Sequence, residues 1–298
     1  VLSVLAIVPI TYAVKSFAHD GLTVIAVAAL VGGLAAGWLF IRRQRTLTTP
    51  LIDVGLFRRP AFTWAIAATV LAIFALAGLL YFFSQYLQLA RGYSTLRAGL
   101  TELPASLASI VVVAVVAAVV RRLGNGRALG SGLLMAAVGL MVVALGESYG
   151  GIVVICTGLL VIGAGIGLAF TVSTGAVLGA VPADRAGAAS AISETGLELG
   201  VALGIAVLGT IQDVGYRLLL GPVPSGLPGR VAEAAEQSLA TLAGAIDPGD
   251  PGQAELMVQA REAFTRAMQA TAVMAAVILL FAGVMAARHV PATSEETS

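Results

Sequence analysis

The chain has 298 residues, of which 58% are hydrophobic and 11% charged, with a net charge of +1. A soluble domain carries roughly 25% charged residues and lacks the interior volume to hide so many apolar side chains, so a soluble globule is excluded. The balanced charge, with no basic run to track phosphates, argues against nucleic acid as a partner, and a lone cysteine, Cys156, leaves no disulfide framework.

A membrane-crossing helix needs about 20 apolar residues. Segments near 1–18, 21–41, 61–89, 98–120, 128–147, 151–179, 188–212 and 265–287 meet that length, which predicts an all-α, polytopic membrane bundle of eight transmembrane helices. Val1 lies already inside an apolar run, with no basic segment or small-residue cleavage site ahead of it, so a signal peptide is not expected. The chain is read as a piece of a longer protein. Eight crossings place both ends on one side. Ten basic residues then fall together: Arg42, Arg43, Arg45, Arg58, Arg59, Arg121, Arg122, Arg127, Arg185 and Arg288. Short loops rich in arginine face the cytoplasm. This predicts cytoplasmic termini, a cytoplasmic linker at 42–60 and a cytoplasmic tail at 289–298.

The 213–264 connection differs from the rest. Between Arg217 and Glu262 it has three arginines and six acids, and by topology it is extracellular. Val231, Ala234, Ala235, Leu239, Leu242 and Ile246 fall near helical spacing, which predicts one short amphipathic helix. The stretch Asp247-Pro248-Gly249-Asp250-Pro251-Gly252 should break it, with a second helix running on toward the last span.

Charges inside a span usually face a cavity, because each costs about 2.5–3.5 kcal/mol at the bilayer centre. Glu102, Glu194 and Glu198 are such candidates. Glu194 and Glu198 lie one turn apart on the seventh span, with Glu198 about 15 Å in. Carboxyls so close would exchange protons as a coupled unit. Gly196, Gly200 and Gly204 on the same helix centre near about 240° when the glutamates centre near about 20°, so glycine should meet a neighbouring helix while glutamate faces the bundle interior or a wet pocket. Gly163 and Gly167 repeat the small-residue spacing in the sixth span. Two more polar stripes, Tyr81, Gln85 and Gln88 in the third span and Glu102, Ser106 and Ser109 in the fourth, suggest a shared substrate cavity. Enzyme chemistry has no footing: the sequence lacks a phosphate loop, a metal-spaced His/Glu cluster and a Ser/His/Asp set, so no cofactor or metal is expected.

Three stretches carry a resemblance. PLIDVGLFRRPAF at 50–62, YFFSQYLQLARGYSTLRAGLTELP at 81–104 and VPADRAGAASAISETGLELGVALGIAVLG at 181–209 resemble, in order and spacing, the 14-span drug:proton antiporters of the major facilitator superfamily, the EmrB/QacA group. The match covers nearly the whole chain and corresponds to spans 7–14. It implies two linking helices (1–41) and a six-helix facilitator half (61–288) whose other half lies upstream. It implies export of lipophilic, cationic drugs against protons by alternating access, with Glu194 and Glu198 at two of the acidic positions of the penultimate helix; Ser193 departs from that pattern. A same-fold carrier of an amino acid, siderophore or lipid precursor is the nearer alternative. A membrane-embedded transferase is the more distant one, and it would need a polar catalytic cluster at a membrane face.

Overall fold

The computed structural model describes residues 2–19, 23–44, 46, 54–149, 151–179, 181–182, 186–224, 226–247 and 249–291. Parts of the expected 42–60 linker and most of the 289–298 tail lie outside these residues. Among the described residues the regular structure is helical: α1 (Leu2–His19), α2 (Val24–Gln44), a 3₁₀ turn (Val54–Arg58), α3 (Pro60–Gln85) continued by a π-turn (Tyr86–Ala90), α4 (Thr95–Tyr149), α5 (Ile152–Gly179), α6 (Ala186–Leu220), α7 (Gly229–Gln237), α8 (Leu239–Ala245) and α9 (Pro251–His289). Six stretches among the described residues are long and apolar enough to cross a membrane, and the molecule is a multi-pass membrane protein. Its surface agrees. Leu100, Leu107, Ile110, Val111, Val277 and Phe281 are all at least half exposed, a pattern suited to lipid and not to water.

α4 consists of two helical limbs. As one rod its 55 residues would run about 82 Å, well over twice the hydrocarbon thickness. Gly124, with φ 76° and ψ 167°, reverses the chain in a conformation that suits glycine alone. The limbs are called α4a (95–123) and α4b (125–149). Their neighbours confirm the reversal. α4a runs parallel to α5, with Ala105 at Gly163 and Ser109 at Gly167, whereas α4b runs antiparallel to it, with Gly132 at Gly165 and Gly146 at Ile155.

The same contacts set the direction of every long helix. α6 lies parallel to α3, α9 runs antiparallel to α4b from Val290 at Gly126 to Gly283 at Gly130, and α1 and α2 form an antiparallel hairpin that leans on α6 through α1. One end of the bundle therefore gathers the exposed Arg58, Arg59, Arg121, Arg122, Arg127 and Arg288; there Trp64 and His289 stack with ring centroids 4.6 Å apart. The opposite, loop end carries the π-turn, α7 and α8.

Two sequence expectations are revised at the loop end. α6 continues helically to Leu220, past the expected span end at 212, while the helix expected after the 247–252 break begins at Pro251 and runs on as α9. Helices project beyond a membrane wherever their backbone bonds stay satisfied, and charge does not stop them. The amphipathic segment is also two helices. Ser238, extended at φ −170° and ψ 161°, ends α7 and accepts the amide of Thr241 at 3.1 Å to cap α8. Both pieces still bury the anticipated residues, including Val231, Ala235, Leu239 and Leu242. Asp250 caps α9 through Gly252 N–H at 2.9 Å, with Pro251 in the first turn.

Candidate functional site

α6 separates its two stripes as helical geometry requires. Gly196 approaches Val70, and Gly200 sits so close to α3 that a Cβ there would lie 2.9 Å from the Val70 carbonyl oxygen and collide with Ile73. A Cβ on Gly204 would fall on the Phe74 carbonyl, and Gly78 of α3 reciprocates against Leu208. Without side chains between them the backbones pack directly, which supplies the van der Waals attraction that associates helices in lipid. Gly163 and Gly167 do the same between α5 and α4a.

Glu194 and Glu198 point away from that seam and are exposed on the surface of the described bundle. The sequence has them facing the bundle interior or a wet pocket; the described bundle leaves them on an open side. The other polar stripes divide. Tyr81 is 52% exposed, and Gln85 is half-buried. Gln88 turns back, its amide donating to Ser84 Oγ at 3.2 Å and its oxygen accepting from Thr95 Oγ1 at 3.4 Å. The i, i+4, i+7 stripe was drawn for an α-helix, and the π-turn that starts at Tyr86 breaks its register. On α4a, Ser106 is exposed and Ser109 donates to the Ser106 carbonyl at 2.8 Å. Glu102 is half-buried with Oε1 lacking a hydrogen-bond partner, and it pairs with neither Arg91 nor Arg97; the Arg97 guanidinium instead lies 4.0 Å from the Tyr93 ring. α4a packs on α5, and α3 and α5 stand between it and α6. Among the described residues no hydrogen bond joins the three stripes, which lie on α3, α4a and α6.

Three polar features escaped sequence reasoning. Gln212 of α6 and Thr271 of α9, both fully buried, hydrogen-bond at 3.2 Å, and Gln212 also donates to the Phe264 carbonyl. Thr69 and Ser173 form a buried hydroxyl pair between α3 and α5. Glu147, taken as the end of a span, is 4% exposed. Leu133, Ala136, Leu140 and Val143 are buried, and helical spacing carries that face on to Glu147, a continuation visible only once the buried face is known. It lines a cleft of about 630 Å³ at the loop end, opposite Arg261, Thr265, Arg266 and Gln269 of α9. The π-turn borders the same cleft, and Arg261 Nε donates to its Leu89 carbonyl at 3.1 Å. Among the described residues no group of three or more His, Cys, Asp or Glu is gathered to hold a metal.

Comparison with known proteins gives a consistent picture. The chain is 40% identical over 283 residues to the multidrug efflux pump LfrA of Mycolicibacterium smegmatis, covering 95% of this chain and 56% of that protein. It is 34% identical over 222 residues to the multidrug resistance protein Stp of Mycobacterium tuberculosis, with 74% and 41% covered. It is 30% identical over 270 residues to the methyl viologen resistance protein SmvA of Salmonella typhimurium, with 89% and 54% covered. The chain spans about half the length of these relatives. The Major Facilitator Superfamily profile matches residues 5–205, most of the bundle whose helix directions are set out above, and the chain belongs to that superfamily.

Proposed function

We propose that the chain is the C-terminal part of a secondary active exporter of hydrophobic, cationic drugs that works by proton antiport. Its eight crossings are α1, α2, α3, α4a, α4b, α5, α6 and α9. It belongs to the 14-span group that its sequence resembles. α1 and α2 link to an upstream half, and the arginine-rich end faces the cytoplasm at the plasma membrane. It is a transporter and not an enzyme.

The observation that carries this reading is the division of α6: glycines lock one side to α3 while Glu194 and Glu198 stand exposed on the other. Acids held outward from a tightly seated membrane helix suit a cavity completed by another part of the protein, as in transporters whose binding site lies between repeats. The names of two relatives, a multidrug efflux pump and a methyl viologen resistance protein, support drug cargo, and viologens are cations. A cationic drug and a proton would compete for the same carboxylates, so binding of one releases the other. Tyr81, Ser106 and Glu102 would border the path.

The test is Glu198→Gln in the full-length protein reconstituted in proteoliposomes. Drug efflux driven by a pH gradient should be lost while the protein remains folded. Wild-type efflux with wild-type pH dependence would remove Glu198 from the coupling mechanism.

A further inference from the structure

Among the described residues Glu147 is the one charged side chain that is buried, and neither carboxyl oxygen has a hydrogen-bond partner. The Tyr86 hydroxyl, in the π-turn, is buried beside it, with the Arg91 guanidinium as its polar neighbour. An ionised carboxylate so placed has lost its hydration with no hydrogen bond to offset the loss. It does have access to water. The adjoining cleft, of about 630 Å³, is open and has ample room for water.

The charges around Glu147 decide what could bind there. Arg91, at the exit of the π-turn, acts electrostatically on both Tyr86 and Glu147. Tyr93 lies 6.0 Å from Arg91. From α9 come Arg261 and the pair Arg266–Glu262, whose charged atoms are 3.9 Å apart. α8 has no titratable group, and the first two turns of α5 offer only Cys156. Three guanidiniums against two carboxylates repel a bulky organic cation at the rim. A proton needs no such bulky ion to enter, because it can be relayed along hydrogen-bonded water in the cleft. The π-turn adds a second sign of function, since such turns recur at functional sites.

We propose that Glu147 is a proton-binding site at the loop end of the bundle, loaded from water through this cleft. One carboxylate oxygen takes a proton from hydronium, leaving a water and a neutral carboxyl. The binding itself is independent of the transport reading; only its role, as the entry point for protons that return during export, rests on that reading.

Infrared difference spectroscopy of the full-length protein in lipid, titrated across neutral pH, tests the proposal directly. The wild type should show a protonated carboxyl band that Glu147→Gln abolishes and Glu198→Gln retains. Glu147→Asp should shift that band without removing it, and it serves as the measurement if the glutamine variant fails to fold. A band unchanged in either Glu147 variant overturns the proposal. In parallel, efflux by Glu147→Gln in proteoliposomes should lose its dependence on pH at the loop end, and wild-type dependence would overturn the assigned role. If the wild type itself shows no efflux driven by a pH gradient, the antiport reading fails while the spectroscopic test of Glu147 stands.

Discussion

The two faces of α6 obey different rules. On one, Gly200 and Gly204 bring the backbone against Val70, Ile73 and Phe74 of α3 so closely that no other residue fits. On the other, Glu194 and Glu198 touch little and contribute little to packing. Stability is concentrated on the first face and chemistry on the second, so the helix can present charge in a membrane without weakening its seat. Substitutions on the two faces should separate these roles.

The largest effect is expected from Gly204→Leu. The side chain would have to displace the Phe74 backbone, which cannot relax as a flexible side chain would, and overpacking of this kind costs about 3 kcal/mol. Thermal unfolding followed by size exclusion in detergent should show a clear loss of folded protein. Gly175→Ala on α5 is the matched control: nothing lies within 4 Å of its Cβ position, so the change should be neutral or gain up to about 1 kcal/mol. Equal damage from both would refute the seam.

Thr271→Val should have an intermediate effect. It leaves the buried Gln212 oxygen without its donor, at about 1 kcal/mol, and loosens α6 from α9. Restoration by Thr271→Ser, measured in the same unfolding assay, would attribute the loss to the hydroxyl.

Smaller still is the expected stability change of the double variant Glu194→Gln, Glu198→Gln. Exposed substitutions fall within about 0.5 kcal/mol, so its unfolding temperature should match the wild type even where its transport does not. A marked drop would mean that the glutamates pack.

The smallest effect lies outside the membrane. The Asp250 carboxyl accepts from the Gln253 side chain at 3.0 Å and from the Gln253 and Gly252 amides, which holds its pKa below the ordinary carboxylate value. A lowered folded pKa stabilises the cap above the unfolded value and loses that contribution as pH falls through the folded one. Hydrogen exchange at the Gly252 and Gln253 amides should therefore accelerate only below the usual carboxylate range, and Asp250→Asn should remove that pH dependence.

Sequence alone determined the solvent, the helical class and the composition of most elements, because burial in lipid leaves a one-dimensional record: long charge-free runs with arginine collected at alternate ends. It also placed Gly196, Gly200 and Gly204 opposite Glu194 and Glu198, since helical periodicity is a property of the chain itself. Which helix the glycines meet depended on α3 lying parallel to α6, a long-range arrangement with no local signal. Only the tertiary structure showed that Gln88 leaves its stripe, because a π-turn shifts register without a distinctive residue to announce it. Only the tertiary structure showed that Glu147 is covered, because a carboxylate at the end of an apolar run looks the same whether α9 covers it or water does. Burial of a single side chain is decided by its neighbours in space, and for Glu147 those come from α9 and the π-turn, both distant in the chain.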